Sequence, residues 1–296
     1  GVGINNVIRA VQSGEPVSLL LVPAIFLGTV LTHLCGGSAG REGAALQMGG
    51  SIGWNVGKLL HLSDYARRTA TISGMAAFFS ALFGTPLTAA LFAMMVEDVG
   101  LTFTSAFVPA FTSALIAYGV SVACGIAPTS FAIQAVPALG LTSAIQAAVL
   151  GILCALVSRL FCRMLHTLEH QLPKRMPNPW LRAALGGVAV VAFSYLFGVG
   201  RYNGAGMGVI TAAVEQGTAL PWDFACKIFL TALTLAVGFK GGEVVPNFFI
   251  GATFGCVAGP LLRLPAGFAA AIGLISVFCG ATTALIPSIL LGFELF

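Results

Sequence analysis

Apolar stretches separated by short polar or glycine-rich breaks run along the whole chain. Four of them have about eighteen residues or more, the length that crosses a bilayer, and lie at 17–34, 101–122, 141–168 and 180–197. Further helical segments are predicted at 1–13, 42–59, 69–81, 86–97, 221–237, 243–262, 267–281 and 287–296. Several of these are too short to cross a hydrocarbon core about 30 Å thick at about 1.5 Å per residue. The pattern predicts an all-α, polytopic membrane protein that contains broken helices.

The composition supports this class. Hydrophobic residues make up 57% of the 296 residues and charged residues only 8%, whereas a soluble domain carries about a quarter charged residues. The formal net charge of +4 is small and scattered, so nucleic acid is not a predicted partner. The basic residues indicate orientation instead. Their densest group, between Arg159 and Arg182, predicts a cytoplasmic loop.

The seven cysteines lie far apart in apolar surroundings, and none forms a CxxC pair. This pattern is typical of small hydrophobic residues within helices rather than of disulfides or metal ligands. The sequence therefore predicts neither a metal site nor a cofactor.

The segment from Gly37 to Gly53 places an ionisable pair, Arg41 and Glu42, inside an apolar, glycine-rich run. A helix is predicted to begin at about Glu42, and a helix start attracts anions through its unpaired N–H groups and the positive end of its dipole. The Glu42 carboxylate can occupy that position when charged and leave it when protonated. The alternative is a structural carboxylate paired with Arg41, but neighbouring helical residues do not face each other. The cost of an intramembrane charge also favours function.

A second segment, from Phe239 to Gly255, has the same construction, with Glu243 at the head of an apolar run. The two glutamates are 201 residues apart, and the same offset relates Gly40 to Gly241, Gly50 to Gly251 and Pro86 to Pro287. Repeated interrupted segments in a membrane protein predict a substrate site between the two halves, on which both glutamates converge. For Glu243, a structural role remains open, either bonded to nearby backbone amides or paired with Lys240.

The repeat predicts three parts of the chain. Residues 1–122 form a first transmembrane repeat, 123–198 a connecting region with the basic loop, and 199–296 a second transmembrane repeat.

Two further motifs have simpler explanations. His166, Glu169 and His170 match the HxxEH pattern of zinc peptidases, and a membrane-embedded protease is the alternative from another functional class. The motif ends a membrane helix in a basic loop without a further acidic ligand nearby, which favours coincidence. We therefore expect no enzymatic activity. Glu97 and Asp98 are candidates for an inner proton station, although carboxylates at a helix end are often simply solvated.

Three segments carry a family resemblance. Gly1 to Ile4 looks like the GSGIP segment of the CLC family of anion channels and anion/proton antiporters. Gly40 to Gly43 is similar to its GREGP segment, with Ala44 in place of proline. Gly241 to Pro246 reads GGEVVP where chloride-type members have GGIFAP. The order and spacing of these segments agree over nearly the whole chain.

The resemblance implies an inverted-topology repeat of broken and tilted helices, a multi-pass protein of a bacterial-type plasma membrane, and a homodimer with one pore per subunit. It implies that Glu42 is the external gating and proton-exchanging glutamate, and that helices are missing at both ends of this chain. It also suggests a set of residues close to the anion: Val2, Gly3, Gly40, Arg41, Gly43, Met48, Asn203, Val244 and Val245.

Within the family, GREG followed by Ala-Leu-Gln-Met, the segment Arg201 to Gly204, and Glu243 in GGEVVP are similar to the fluoride/proton antiporter branch (CLC-F). Chloride-type members ligate the anion with a serine where this chain has Val2. The fluoride branch usually has a threonine where this chain has Val245. The predicted function is secondary active transport of a halide, with fluoride export coupled to proton import through Glu42 and Glu243. The alternative is a chloride channel or a chloride/proton exchanger of the same family.

Overall fold

A computed structural model of the protein describes residue 7 and residues 10–12, 14–95 and 105–296. The predicted anion-binding residues Val2 and Gly3 and the proton-station candidates Glu97 and Asp98 lie outside the described residues. Within them, the helices are α1 (Leu21–Leu34), α2 (Glu42–Leu59), α3 (Asp64–Phe83), α4 (Pro86–Met95), α5 (Phe107–Ala123), α6 (Leu141–Arg175), α7 (Pro179–Phe197), α8 (Met207–Glu215), α9 (Asp223–Ala236), α10 (Val244–Leu261), α11 (Ala266–Thr282) and α12 (Leu285–Leu295). The prediction of an all-α fold is confirmed.

Most helix bounds agree with the sequence pattern, and α3 shows why one does not. The apolar pattern predicts a start at residue 69, but α3 begins at Asp64. The Ser63 hydroxyl accepts a hydrogen bond from the N–H of Ala66 at 3.4 Å, which caps the helix start. Asp64 adds a negative charge in the first turn, where the helix dipole stabilises it. The polar first turn is therefore helical although it carries no apolar stripe.

The predicted break between α3 and α4 is present. Gly84 ends α3 in a left-handed conformation with φ of 76°, and its N–H donates to the carbonyl of Ser80 at 2.7 Å. A Cβ at Gly84 would lie 2.3 Å from Cβ of Pro128, so only glycine fits. Pro86 then opens α4 at the first helical position, which tolerates a missing N–H.

Among the described residues, three helices have the length and apolar composition needed to cross a membrane: α6, α7 and α10. They differ in how much of that apolar window is packed inside the protein. The buried share is 28% in α6 and 17% in α7 but 72% in α10. α10 is therefore a core helix, whereas α6 and α7 present most of their apolar surface outward.

The chain divides into two compact units. Unit 1 contains the described residues of Gly1–Leu27, Glu42–Ser130 and Ala284–Leu295. Unit 2 contains Gly28–Arg41, Phe131–Thr283 and Phe296. The core of unit 2 is built on a stripe of α6 that includes Leu150, Cys154, Phe161 and Leu165, packed with residues of α9, α10 and α11. All seven cysteines are free.

Each unit contains a helix pair held by glycines in direct contact. In unit 1, a Cβ placed on Gly49 of α2 would lie 2.2 Å from the carbonyl oxygen of Gly74 on α3. In unit 2, a Cβ on Gly251 of α10 would lie 2.2 Å from the carbonyl oxygen of Gly273 on α11. Small residues let the backbones of membrane helices approach closely. The same packing solution thus occurs twice.

These contacts correct the register of the repeat by one residue. Gly49 is the eighth residue of α2, and Gly251 is the eighth residue of α10, so Gly49, not Gly50, is equivalent to Gly251. In this register Glu42 corresponds to Val244, and Glu243 corresponds to Arg41. The offset of 201 paired Gly251 with Gly50 because Gly49 and Gly50 are adjacent in the sequence. The contact between the helices identifies Gly49 as the equivalent glycine.

Candidate functional site

Two glycines of unit 2 connect the two sequence motifs. The N–H of Gly40 donates to the carbonyl of Gly242, and the N–H of Gly242 donates to the carbonyl of Gly40, both at 2.7 Å. The pair forms an isolated antiparallel bridge. A Cβ on Gly241 would lie 2.3 Å from Cβ of Ala39, so the chains approach too closely for a larger residue. The bridge fixes the backbone immediately before Arg41 and immediately before Glu243.

The segment before Gly40 is anchored on α9 by hydroxyl groups. The Ser38 N–H donates to Oγ1 of Thr234 at 3.1 Å, and the Ser38 hydroxyl lies 2.9 Å from the hydroxyl of Thr231. All three residues are buried. On the other strand of the bridge, the N–H of Lys240 donates to the hydroxyl of Thr32 at 3.0 Å. Hydrogen bonds to buried hydroxyls therefore offset the cost of removing this irregular backbone from water.

Asn203 was a predicted anion ligand, and its amide instead joins backbone segments. Its Nδ2 donates to the carbonyl of Gly36 and, at 2.9 Å, to the hydroxyl of Ser194. Its Oδ1 accepts from the N–H of Gly200 at 3.0 Å. Contact with an anion would require these bonds to break, so the geometry assigns Asn203 to the support of the Gly36 to Gly40 segment.

A buried charged network lies behind Asn203, and the sequence analysis did not identify it. Asp223 is fully buried and accepts hydrogen bonds from the Arg201 guanidinium at 2.8 and 2.5 Å and from the Tyr202 hydroxyl at 2.7 Å. Lys227, also fully buried, donates to the carbonyls of Tyr202 and Gly204 at 2.9 and 2.7 Å. Lys227, a charged residue within the apolar helix α9, was the feature of the sequence that could have indicated this network.

Tyr202 is a neutral donor in this network. Burial, and then its hydrogen bond to Asp223, raise the pKa of the phenol. The hydroxyl therefore keeps its proton at physiological pH and donates a hydrogen bond to the Asp223 carboxylate. Together with Lys227, it holds the loop before α8 in one conformation.

Glu42 belongs to unit 1 and is the first residue of α2, with 1% of its surface exposed. It lies at the positive end of the helix dipole, where a carboxylate is stabilised. The neighbouring predicted residues differ in environment. Gly43 and Met48 are half-buried, whereas Arg41, in unit 2, is exposed. The acidic member of the pair is thus the buried one.

Glu243 belongs to unit 2 and precedes the first residue of α10. Its side chain is exposed and makes no capping hydrogen bond to the helix. Among the described residues, Lys240 forms no ion pair with it. The Glu243 carboxylate interacts electrostatically with Glu169 and with Cys162, both on α6. Within the described part of the chain, neither structural alternative for Glu243 is seen.

The first turn of α10 is otherwise buried. Val244 and Val245 are exposed over only 6% and 3% of their surfaces. Asn247 is fully buried, and neither its Oδ1 nor its Nδ2 has a hydrogen-bond partner among the described residues. The sequence analysis passed over Asn247, although an amide in an apolar helix start was a visible signal.

The HxxEH motif lies near the end of α6. His166, Glu169 and His170 are all exposed, and the two imidazole rings are 6.4 Å apart. In the part of the chain that the structure describes, no group of three or more histidine, cysteine, aspartate or glutamate side chains is placed to hold a metal ion. The zinc-peptidase interpretation therefore has no supporting ligand set.

Comparison with known proteins identifies relatives over the whole chain. A protein of Pseudomonas syringae pv. tomato described as a chloride/fluoride channel protein is 36% identical over 286 residues, which cover 95% of this chain and 63% of that protein. The H(+)/Cl(-) exchange transporter ClcA of Yersinia pestis is 24% identical, with coverage of 100% and 65%. This chain therefore spans less than two thirds of the length of these relatives.

Solved structures with the same fold agree. The crystal structure of a CLC-type fluoride/proton antiporter matches with a TM-score of 0.94 and 37% identity over 100% of this chain and 75% of that one. A slow cyanobacterial Cl−/H+ antiporter matches with a TM-score of 0.78 at 20% identity, over 97% and 76% of the two chains, which indicates the fold alone. The family model described as voltage gated chloride channel matches residues 1–296. The chain therefore belongs to the voltage gated chloride channel (CLC) family and is an integral membrane protein.

Proposed function

We propose that this protein exchanges a halide for protons across the membrane, and that the halide is fluoride, exported as protons enter. The observation that carries the proposal is the placement of two carboxylates. Glu42 and Glu243 each follow one of the two reciprocally bonded glycines, and each stands at the start of a helix. Helix starts attract anions, so the head of each of these two helices is a position that suits a halide.

Glu42 is the residue proposed to exchange the proton. Its burial makes the charged form costly, whereas the helix dipole at the start of α2 stabilises that form. These opposing effects allow the carboxylate to exist in both states. The charged carboxylate blocks the head of α2, and the protonated form releases it for the anion and carries the proton as it moves.

Two observations support fluoride rather than chloride as the transported ion: the presence of Glu243 and the descriptions of the relatives. Fluoride is strongly hydrated and a strong hydrogen-bond acceptor, so a second carboxylate that holds a proton compensates for lost water. The Pseudomonas relative is described as a chloride/fluoride channel protein, and the solved structure at 37% identity is that of a fluoride/proton antiporter. Val245 departs from the pattern of the fluoride branch, which usually has a threonine here, since the valine side chain offers no hydroxyl to the ion.

The test is ion efflux from liposomes that carry the full-length protein, followed with fluoride and chloride electrodes and a pH probe. Wild type should release fluoride well above chloride while protons enter. Glu42→Gln, which cannot release a proton, should abolish the proton movement. Glu215→Gln is the matched control, because Glu215 lies at the end of α8 and, among the described residues, its Oε1 accepts from the N–H of Ala132, at 3.2 Å, in an exposed contact.

Equal or chloride-dominant efflux would replace fluoride by the alternative, a chloride channel or chloride/proton exchanger. Proton coupling that survives in Glu42→Gln would remove Glu42 from the mechanism. Coupling lost equally in Glu215→Gln would mean that the loss reflects any removed carboxylate.

The same proposal covers the setting of the protein. The basic residues at the end of α6 support a cytoplasmic position for that end in a bacterial-type plasma membrane. We further propose that the subunit forms a homodimer and is not an enzyme. Cross-linking in native membranes tests the dimer. Metal analysis of the purified protein tests the remaining alternative, because stoichiometric zinc would restore the protease interpretation of His166, Glu169 and His170.

A further inference from the structure

Asn247 has a buried side-chain amide without a hydrogen-bond partner among the described residues. It is the fourth residue of α10 and has no exposed surface. Its backbone N–H donates to the carbonyl of Glu243 at 2.9 Å, but neither side-chain polar atom is hydrogen-bonded within the described residues. An unsatisfied buried amide costs free energy and is uncommon in native proteins. Such a group is expected where a bound species completes its hydrogen bonding.

The position of Asn247 indicates what that species is. The first-turn N–H groups of α10, on Val244 and Val245, have no partner within the helix, and Pro246 has no N–H. The Cα–Cβ bond of a helical residue tilts toward the N-terminus, so the side chain of Asn247 lies back along the turn that begins at Glu243, four residues earlier and on the same side. The amide therefore joins the positive end of α10, which attracts anions.

We propose that Asn247 is an anion ligand that sets halide specificity, with its Nδ2–H donating to the ion at the head of α10. This inference rests on the proposed halide transport and adds a residue to it. Val2 and Val245 carry no side-chain donor, and Asn247 supplies one from the next turn. Its Oδ1 accepts from water that remains with the ion. Since fluoride is the stronger acceptor, this donor favours fluoride over chloride.

Asn247→Leu tests the proposal because it removes the amide without removing a hydrogen bond to any described residue. The half-saturating fluoride concentration for efflux should rise about tenfold or more, as expected for a lost hydrogen bond to a charged species. The fluoride-to-chloride flux ratio should fall. Without halide, the thermal midpoint in detergent should equal or exceed that of wild type, because an unsatisfied buried group has been removed. A merely structural amide would not combine weaker binding with undiminished stability.

Thr253→Val is the matched control on the same helix. Thr253 is also fully buried, but its hydroxyl already donates to the carbonyl of Phe249 at 2.7 Å. This change should lower stability slightly and leave the half-saturating concentration unchanged. Asn247→Ser, which keeps a hydroxyl donor, should fall between wild type and Asn247→Leu and provides a second variant if the leucine protein folds poorly.

The proposal is overturned if wild type transports halide and Asn247→Leu keeps the wild-type half-saturating concentration. It is also overturned if sodium fluoride raises the thermal midpoints of wild type and Asn247→Leu equally. If wild type moves chloride but no fluoride, the fluoride function fails by itself, and the same comparison with sodium chloride then decides whether Asn247 binds the ion.

Discussion

Gly40 and Gly242, 202 residues apart, exchange two backbone hydrogen bonds of 2.7 Å. This bridge is the direct link between the GREG and GGEVVP segments in the described chain. No side chain takes part in it, so it sets the positions of Arg41 and Glu243 through the backbone alone. Residues that keep the two backbones close are therefore as important to the site as its carboxylates.

Gly241→Ala should disrupt this bridge. The new Cβ would lie 2.3 Å from Cβ of Ala39 and 3.2 Å from the carbonyl oxygen of Gly40, which forces the strands apart. We expect a loss of about 1–3 kcal/mol in the free energy of unfolding and a large loss of transport, measured by thermal unfolding and liposome efflux. Gly208→Ala, with no atom within 4 Å of its Cβ, should change neither. Normal efflux in Gly241→Ala would show that the bridge is dispensable.

Gly251→Ala and Gly49→Ala should destabilise the protein to a similar extent. In both, the added Cβ would meet a backbone carbonyl oxygen at 2.2 Å, and backbone cannot move aside as a side chain does. Each should cost about 1–3 kcal/mol, seen as reduced thermal stability in detergent. Gly151→Ala on α6, which has open space around it, should be neutral or slightly stabilising. A neutral Gly251→Ala would contradict the assigned α10–α11 contact.

Arg201→Gln should lower the free energy of unfolding, because the loop before α8 depends on its buried charges. Asp223 would stay fully buried without its cation, and breaking a buried pair costs about 3–5 kcal/mol. A third of the Arg201 side chain is exposed, so the lower end of that range is expected, measured by chemical unfolding. Asp64→Asn removes the exposed pair with Arg67 at 3.4 Å and should cost under about 1 kcal/mol. Equal effects would argue against the network.

Glu294→Gln should weaken the start of α4. The Glu294 carboxylate accepts from the N–H of Leu87 at 3.0 Å and from the N–H of Thr88 at 2.9 Å, which caps the helix with a negative charge. Glutamine keeps one acceptor and loses the charge, so a cost of about 1 kcal/mol is expected in thermal unfolding. Glu215→Gln, at a half-buried position, serves as the control. An unchanged midpoint in Glu294→Gln would show that this cap adds no net stability.

The sequence determined the helices and the location of the two motifs because these depend on local properties. Apolar length sets the membrane segments, and the proline and glycine at 84–86 set a break through their own backbone preferences. Glu42 was found because a charge in an apolar run is visible without a fold. The family followed from the order and spacing of the motif segments, which the comparisons confirmed.

The tertiary structure decided which residues meet. The choice of Gly49 over Gly50 as the packing glycine depends on the face that α2 turns to α3, and no local preference specifies that face. The same holds for the side-chain amide of Asn203, which is hydrogen-bonded to protein, and for that of Asn247, which has no such bond in the described part of the chain. Two asparagines with equal chemistry differ in hydrogen bonding because the satisfaction of a polar group depends on neighbours far away in the chain.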